Sequence, residues 1–343
     1  MVVNGLTEFK IGQMAVSPGE KKSGFLPSQG LSMPDGTGNY WHIPVVIVRG
    51  VEDGPVFEVD RCIHGEEQEG AYTVLELARR LDPEKMSGTF IGVPVLNVPG
   101  FLAYGGVRGS PTDLMYVDMN RQFPGDPGSM SHTRRAVHTF WTEIIKRCDF
   151  TVNLHGCMKE QIPRVVYNED LPETIEMAKA IACTEDWIIA SKSEHTGLKE
   201  DTINHACAEA GILNVFIESG SGCRGYDAIR ASSDRVVEGT LNCMKRYGVV
   251  KGDVKRPPRW RRTEYYTHVR GRAAGIIQPE PRLKVEAKVK KGELLCKVLD
   301  FLGEEIDRVH APHDGIILME PNAVSVGPES SICLLGYPPK YFT

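Results

Sequence analysis

The chain has no Cys-x-x-Cys pair, and its nine cysteines are scattered without pattern. An odd, unpatterned set argues against a disulfide framework and reads as reduced thiols in a cytoplasmic protein. No run approaches the roughly 20 apolar residues of a membrane span. The first residues, Met1-Val2-Val3-Asn4-Gly5, lack a basic segment leading into an apolar one, so no secretory signal is expected. Basic charge is not in excess. The net charge of −5 leaves no electrostatic footprint for nucleic acid or an anionic membrane. What remains is a chain of 343 residues, 41% hydrophobic and 25% charged, with room for one large domain and a smaller one.

The most informative run is Val56-Phe57-Glu58-Val59-Asp60-Arg61-Cys62-Ile63-His64-Gly65-Glu66-Glu67. An apolar strand leads into a turn, and the helical stripe Ala71, Val74, Leu75, Leu77, Ala78 and Leu81 follows. A His and a carboxylate three residues apart across such a turn can aim one nitrogen and one oxygen at a common point, as a zinc ion requires. Further strands are expected over 41–48, 90–96, 150–154 and 213–217, and turns over 32–38. Helices are expected from a Ser131 cap, with Val137, Trp141, Ile144 and Ile145 on one face, and near 172–183, 201–210 and 231–247. This alternation predicts an α/β fold with a mixed, largely parallel sheet flanked by helices, over residues 1–254, with a β segment at 1–50.

A basic, proline-bearing stretch at 255–262 reads as a solvated linker, although Trp260 among arginines has the composition to stack a nucleotide. Residues 263–343 read as a smaller, all-β C-terminal domain. Gly275-Ile276-Ile277 recurs forty residues later as Gly315-Ile316-Ile317, which suggests a pseudo-symmetric sandwich or barrel. The repeat resembles lipoyl- or biotin-type domains. Its connecting turn, Asp300-Phe301-Leu302-Gly303-Glu304-Glu305, lacks the carrier lysine, so a structural cap or an oligomer contact is expected instead.

His64, His155 and Glu218 all fall at the C-terminal ends of expected strands, where open α/β sheets bind ligands. His64, Glu67 and His155 would give a His₂Glu set with a fourth position open for water, the catalytic type of zinc site. Taken alone, His155 reads first as a satisfied interior histidine after a strand. The irregular stretch 97–128 contains Asp118-Met119-Asn120-Arg121-Gln122-Phe123-Pro124-Gly125. The Arg121 fork matches a carboxylate with two points, or pairs with Asp118 inside the loop. Arg108 lies between small residues that leave space for a substrate.

With these residues in order, the chain resembles the succinylglutamate desuccinylase and aspartoacylase family, a branch of the zinc carboxypeptidase-like metallohydrolases. The matching elements are His64-Gly65-Glu66-Glu67 with Gly70, then Asn97 and Arg108, Asp118-Met119-Asn120-Arg121 with Phe123-Pro124-Gly125, Leu154-His155, and Glu218-Ser219-Gly220. They extend over about 40–250, and the C-terminal β segment is similar to the appendix domain of that family. The resemblance implies one zinc ion per chain at His64, Glu67 and His155. It implies Glu218 as general base, Arg108 at the developing oxyanion, and Asn120 with Arg121 at a substrate carboxylate. Two positions depart from the family pattern. Asn153 stands where Asp usually precedes Leu-His, and Arg61-Cys62-Ile63 stand where small residues are usual.

The expected activity is hydrolysis of the amide bond of a small N-acyl amino acid by metal-activated water. The alternative is a zinc carboxypeptidase that trims a peptide-like C-terminus. Cys62 and Cys157 flank the ligands, but nothing in the sequence lowers a thiol pKa there. Arg164, Arg224 and Arg230 are candidates to select an acidic substrate, or else surface and salt-bridge residues. The expected partner is a small molecule, with a second copy of the chain as a further candidate.

Overall fold

The computed structural model describes residues 7–32, 40–103, 109–111, 113, 117–156, 160–168, 171–193, 200–220, 225–321, 324–327 and 330–342. Arg108, Cys157 and Arg224, and most of the turn expected over 32–38, lie outside them.

The fold begins with a short hairpin, β1 (Phe9–Ile11) and β2 (Met14–Val16), followed by two long antiparallel strands, β3 (Lys21–Ser32) and β4 (Tyr40–Arg49). Next come β5 (Glu52–Arg61), α1 (Ala71–Arg80) and β6 (Ser87–Val93), with β5 and β6 parallel. A short α2 (Val98–Leu102) and α3 (His132–Glu143) precede β7 (Phe150–His155). The chain continues through β8 (Arg164–Tyr167), α4 (Thr174–Ile181), β9 (Ile188–Ser193), α5 (Ile203–Glu209), β10 (Leu213–Glu218) and α6 (Tyr226–Arg246). Strands then follow: β11 (Trp260–Arg270), β12 (Gly275–Pro279), β13 (Lys288–Val289), β14 (Leu294–Leu299), β15 (Glu305–His310), β16 (Gly315–Met319), β17 (Ser325–Val326) and β18 (Ser331–Phe342).

One 12-stranded sheet organises the molecule, in the order β13-β16-β18-β11-β9-β8-β10-β7-β5-β6-β4-β3. The fold is α/β and the sheet is mixed, as expected, with its parallel pairings among β11, β9 and β8 and among β10, β7, β5 and β6. The run β10-β7-β5-β6 is parallel, whereas β4 on β6 and β8 on β10 are antiparallel. The central strands are buried on both faces. Val59, Val152, Leu154, Val215 and Ile217 face Val74 and Leu77 of α1 and Val236 and Val237 of α6. On the opposite face Ile43, Ile47, Ile91 and Val93 pack against Val137, Phe140 and Trp141 of α3. Double-sided burial explains why these strands read as short apolar runs without alternation.

Ser131 caps α3 as expected, its Oγ accepting from the backbone N–H of Arg134 at 3.2 Å. Leu75 departs from the expected stripe of α1 and is exposed. β8 and β9 were not expected from the sequence, being short strands set between polar turns.

The sheet runs on through the expected linker. Trp260 to Arg262 open β11, which pairs in parallel with β9. Trp260 is buried, and its indole N–H donates to the carbonyls of Lys179 at 3.1 Å and Ala182 at 3.0 Å. It closes the core over α4, so its ring is not available to stack a base. The two Gly-Ile-Ile copies lie in different sheets: β12 in a four-stranded sheet, β16 in the large one. Ile277 and Ile317 belong to one shared core. The turn at 300–304 is held by Asp300, whose Oδ1 accepts from the N–H groups of Leu302 and Glu304.

Candidate active site

Three adjacent parallel strands deliver the polar groups. His155 ends β7 and Glu218 ends β10, and the two are register partners. β5 lies on the other side of β7, with Arg61 opposite Leu154, and its continuation carries His64 and Glu67. The turn after β5 is tightly braced. The backbone N–H groups of Leu96 and Asn97 donate to the carbonyls of Arg61 and Cys62, each at 2.9 Å. Cys62 is buried at φ +56°, a left-handed conformation that costs a non-glycine residue energy, and its thiol donates to the Glu67 carbonyl at 3.3 Å. That contact occupies the thiol in holding the turn. Arg61 is buried too, and its Nε donates to the same carbonyl at 3.2 Å. A Cβ on Gly70 would come within 2.1 Å of that Nε, so this arginine and that glycine require each other.

His64, Glu67 and His155 converge as expected, with one donor atom from each lying within 4.8 Å of the others. All three are buried. Glu67 Oε1 lies 2.8 Å from His64 Nδ1, and Oε2 lies 3.3 Å from His155 Nδ1. The far nitrogen of His64, Nε2, lies 3.2 Å from Asp118 Oδ1. If Nε2 carries the hydrogen given to Asp118, Nδ1 presents a lone pair to a carboxylate oxygen 2.8 Å away. Two acceptors at that separation need a cation between them. A proton satisfies this, and so does a metal bound by all three side chains. Burial by itself would raise the pKa of Glu67, but His64 and His155 hold it well below the ordinary carboxylate range. The donor set therefore fits a divalent cation of the zinc type.

Glu218 is clamped from the side away from His155. Gln161 Nε2 donates to its Oε2 at 3.1 Å, and Arg164 Nη2 lies 3.3 Å from its Oε1. Arg164 Nη1 donates to Gln161 Oε1 at 2.9 Å, which closes the triangle. The segment holding both partners is fastened by the C-terminal strands. Ile162 N–H donates to the Leu318 carbonyl at 2.8 Å, and Glu320 N–H to the Glu160 carbonyl at 3.1 Å. Arg164 is buried, the salt-bridge reading of the sequence, while Arg230 is exposed on α6.

Asp118 does not serve Arg121. It caps the turn of 119–121 by accepting from Asn120 N–H at 2.9 Å, and Oδ1 also faces His64. Asn120 is buried with its Oδ1 accepting from Ile203 N–H at 3.1 Å, which fixes the start of α5. Arg121 Nη1 donates to the Asn120 carbonyl at 2.5 Å, and among the described residues Arg121 forms no ion pair.

The departure at 153 has a partner on the next strand. Asp60, fully buried, sits in register with Asn153 and accepts a hydrogen bond from its side-chain amide. Burial pushes Asp60 up to about 6, against the opposing pull of Asn153, His155 and Arg61. Sequence reasoning missed Asp60, the Gln161–Arg164 clamp and the true partner of Asp118. Only Asp60 carried a signal, as an acid inside an apolar strand.

The catalytic-domain model of succinylglutamate desuccinylase/aspartoacylase matches residues 62–245, more than half of the chain. The chain belongs to this family. With the succinylglutamate desuccinylase/aspartoacylase family it is a hydrolase of amide bonds, of deacylase type. The N-alpha-acetyl-L-2,4-diaminobutyric acid deacetylase of Halomonas elongata is 26% identical over 307 residues, covering 86% of this chain and 85% of that protein. Two solved structures share the fold. The succinylglutamate desuccinylase/aspartoacylase from Rhodobacter sphaeroides has a TM-score of 0.76 at 21% identity, covering 94% of this chain and 96% of that one. The product-bound ectoine utilization protein EutE (DoeB) from Ruegeria pomeroyi has a TM-score of 0.77 at 22% identity, covering 92% and 94%. Among the described residues no helix is long and apolar enough to cross a membrane.

Proposed function

We propose that the chain is a zinc-dependent deacylase that releases a carboxylic acid from a small N-acyl amino acid. The observation that carries this reading is the convergence of His64, Glu67 and His155 within 4.8 Å, with Glu218 the register partner of His155 on the adjacent strand. These three side chains would hold one zinc ion. When bound, the ion supplies Lewis acidity and a water acidic enough to attack at neutral pH. Asp118 fixes the His64 ring so that Nδ1 faces the site.

Glu218 accepts the proton of the attacking water and delivers it to the departing amine. Among the described residues each Glu218 oxygen has one polar partner, Gln161 or Arg164, which leaves a further lone pair for this task. Arg108 is assigned to the developing oxyanion by the family pattern, and its charge suits that role. Arg121, half-buried and with no ion pair among the described residues, is the candidate grip for a substrate carboxylate. Asn120 contributes by holding Arg121 and α5 in place, with its amide nitrogen as the candidate substrate contact.

The Halomonas relative makes N-α-acetyl-L-2,4-diaminobutyrate the first substrate to test. Metal analysis of the purified protein is expected to give about one zinc per chain, and His64→Ala is expected to give little. Amine release is expected from N-acetyl amino acids and not from a blocked peptide with a free C-terminal residue. Trimming of the peptide with no action on N-acetyl amino acids would establish the carboxypeptidase instead. Full zinc retention by His64→Ala would remove the metal assignment.

A further inference from the structure

We infer that Tyr266 is a positioning residue for Glu218, acting through Arg164, so that strand β11 helps to aim the base. The inference rests on the reading of Glu218 as general base.

Two Arg–Tyr contacts of opposite sense tie β8 to β11 across β9, which pairs in parallel with both. In the first, β8 gives the arginine: the Arg164 guanidinium carbon lies 5.7 Å from the centre of the Tyr266 ring. In the second, β11 gives it: the Arg262 guanidinium carbon lies 5.6 Å from the centre of the Tyr167 ring. Both separations are within reach of a cation over an aromatic face. The arginines differ in what else they hold. Arg262 Nη2 donates to the hydroxyl of the same tyrosine. Arg164 spends its terminal nitrogens on the site, with Nη2 3.3 Å from Glu218 Oε1 and Nη1 donating to Gln161 Oε1 at 2.9 Å. Among the described residues the polar partners of Glu218 are Gln161 and Arg164, so the second pair does not touch the base.

Arg164 is only 5% exposed, and its Nε is buried with no hydrogen-bond partner among the described residues. A guanidinium buried with an unanswered N–H needs further attraction to stay in place. The Tyr266 ring supplies it, and such contacts are strongest where water is excluded. The ring is itself fixed, because Tyr266 packs against the cluster that includes Ile162, Ile188 and Leu318. Ile162 and Leu318 are also joined by the backbone bond that fastens the clamp segment. Ring and clamp therefore share one anchor. The ring sets where the guanidinium lies, and the guanidinium sets the direction of Glu218 Oε1. The contact uses the ring face, so the Tyr266 hydroxyl is dispensable to it.

Steady-state kinetics on the N-acetyl amino acid that the wild type turns over fastest test this. Tyr266→Phe keeps the ring and is expected to keep kcat within about twofold. Tyr266→Leu removes the ring, and kcat is expected to fall roughly 3- to 30-fold, with KM and zinc content little changed. Arg262→Leu breaks the second contact and is expected to lower the melting temperature without lowering kcat. Tyr266→Leu combined with Arg164→Gln is expected to be no slower than Arg164→Gln alone, because the ring acts through that arginine. An unchanged kcat in Tyr266→Leu, an equal fall in Arg262→Leu, or losses that multiply in the double variant overturns the inference. If Tyr266→Leu does not fold, fluorinated phenylalanines at position 266 decide. They keep the shape of the ring and drain negative charge from its face, so kcat is expected to fall stepwise with fluorine content, and a flat series overturns the inference. An unchanged kcat in Glu218→Gln is a separate result: it fails the base reading itself, and the inference falls with it.

Discussion

His64 Nε2 lies 3.2 Å from Asp118 Oδ1, although 54 residues separate the two in the chain. The contact orients the ring, and its effect is distinct from the capping bond that Asp118 also accepts from Asn120 N–H. Asp118→Asn keeps an oxygen for the cap and removes the charge behind the ring. Zinc affinity is expected to fall by roughly 10- to 100-fold with little change in melting temperature. Chelator competition and a thermal melt on the same preparation check this. A loss of thermal stability with unchanged affinity would leave Asp118 as a cap alone.

Glu218 and its clamp make a second expectation. Glu218→Gln is nearly isosteric and is expected to keep zinc while kcat falls on the order of 10²- to 10⁴-fold. Arg164→Gln leaves the base in place but removes a charged partner from its Oε1 and the donor to Gln161. It is expected to lower kcat more than it raises KM, because the base is misaimed and not absent. Steady-state kinetics on the best N-acyl amino acid distinguish the two patterns, and an unchanged kcat in Glu218→Gln would assign proton transfer elsewhere.

Arg121 tests the substrate class. Arg121→Lys keeps the charge and loses the planar fork, and Arg121→Ala loses both. The expected order of kcat/KM on a carboxylate-bearing amide is wild type, then Lys, then Ala. Amides without that carboxylate should be poor substrates for the wild type and respond little to either change. Equal turnover of both kinds of amide by the wild type would end the carboxylate assignment.

Glu58 offers a test on stability. It is fully buried on β5, and among the described residues neither oxygen has a hydrogen-bond partner. Burial, with the charge of Asp60 close by, raises its pKa well above the ordinary value. The folded-state value therefore exceeds the unfolded one. Between the two, the native state holds a proton that the unfolded chain has released, so stability falls as pH rises. The loss begins above about pH 4.3 and amounts to at most about 1.4 kcal/mol per pH unit up to the folded-state value. Glu58→Gln is expected to melt higher than wild type at pH 8, with the gap closing toward pH 4. A gap that does not depend on pH would mean that Glu58 is not the titrating group.

Much of the site was legible because its ligands follow strand ends that the sequence marks clearly. Val56 to Val59, 150–154 and 213–217 are short, mainly apolar runs, each followed closely by a residue of the candidate site: His64, His155 or Glu218. Runs of that kind announce buried parallel strands, and the C-terminal ends of such strands are where ligands gather. The His64–Glu67 spacing is local, so geometry across one turn was enough to join them. The partners of those residues were not legible, because each comes from a distant part of the chain. Asp118 reads equally well as a loop partner of Arg121 until the fold carries it to His64. Gln161 and Arg164 gain their role from strands beyond Trp260, which bridge to 160–162.

The sequence by itself determined most of the elements, the residue types of the candidate site and the family, because period, charge and local spacing are properties of neighbouring residues. Only the tertiary structure decided which partner each buried acid meets. Asn153 reads as a lost carboxylate along the chain. Across the sheet it lies in register with Asp60, 93 residues earlier in the chain. Hydrogen-bond register between strands is set by the whole sheet, and burial then turns one unpaired acid into a feature that has to be answered by charge nearby.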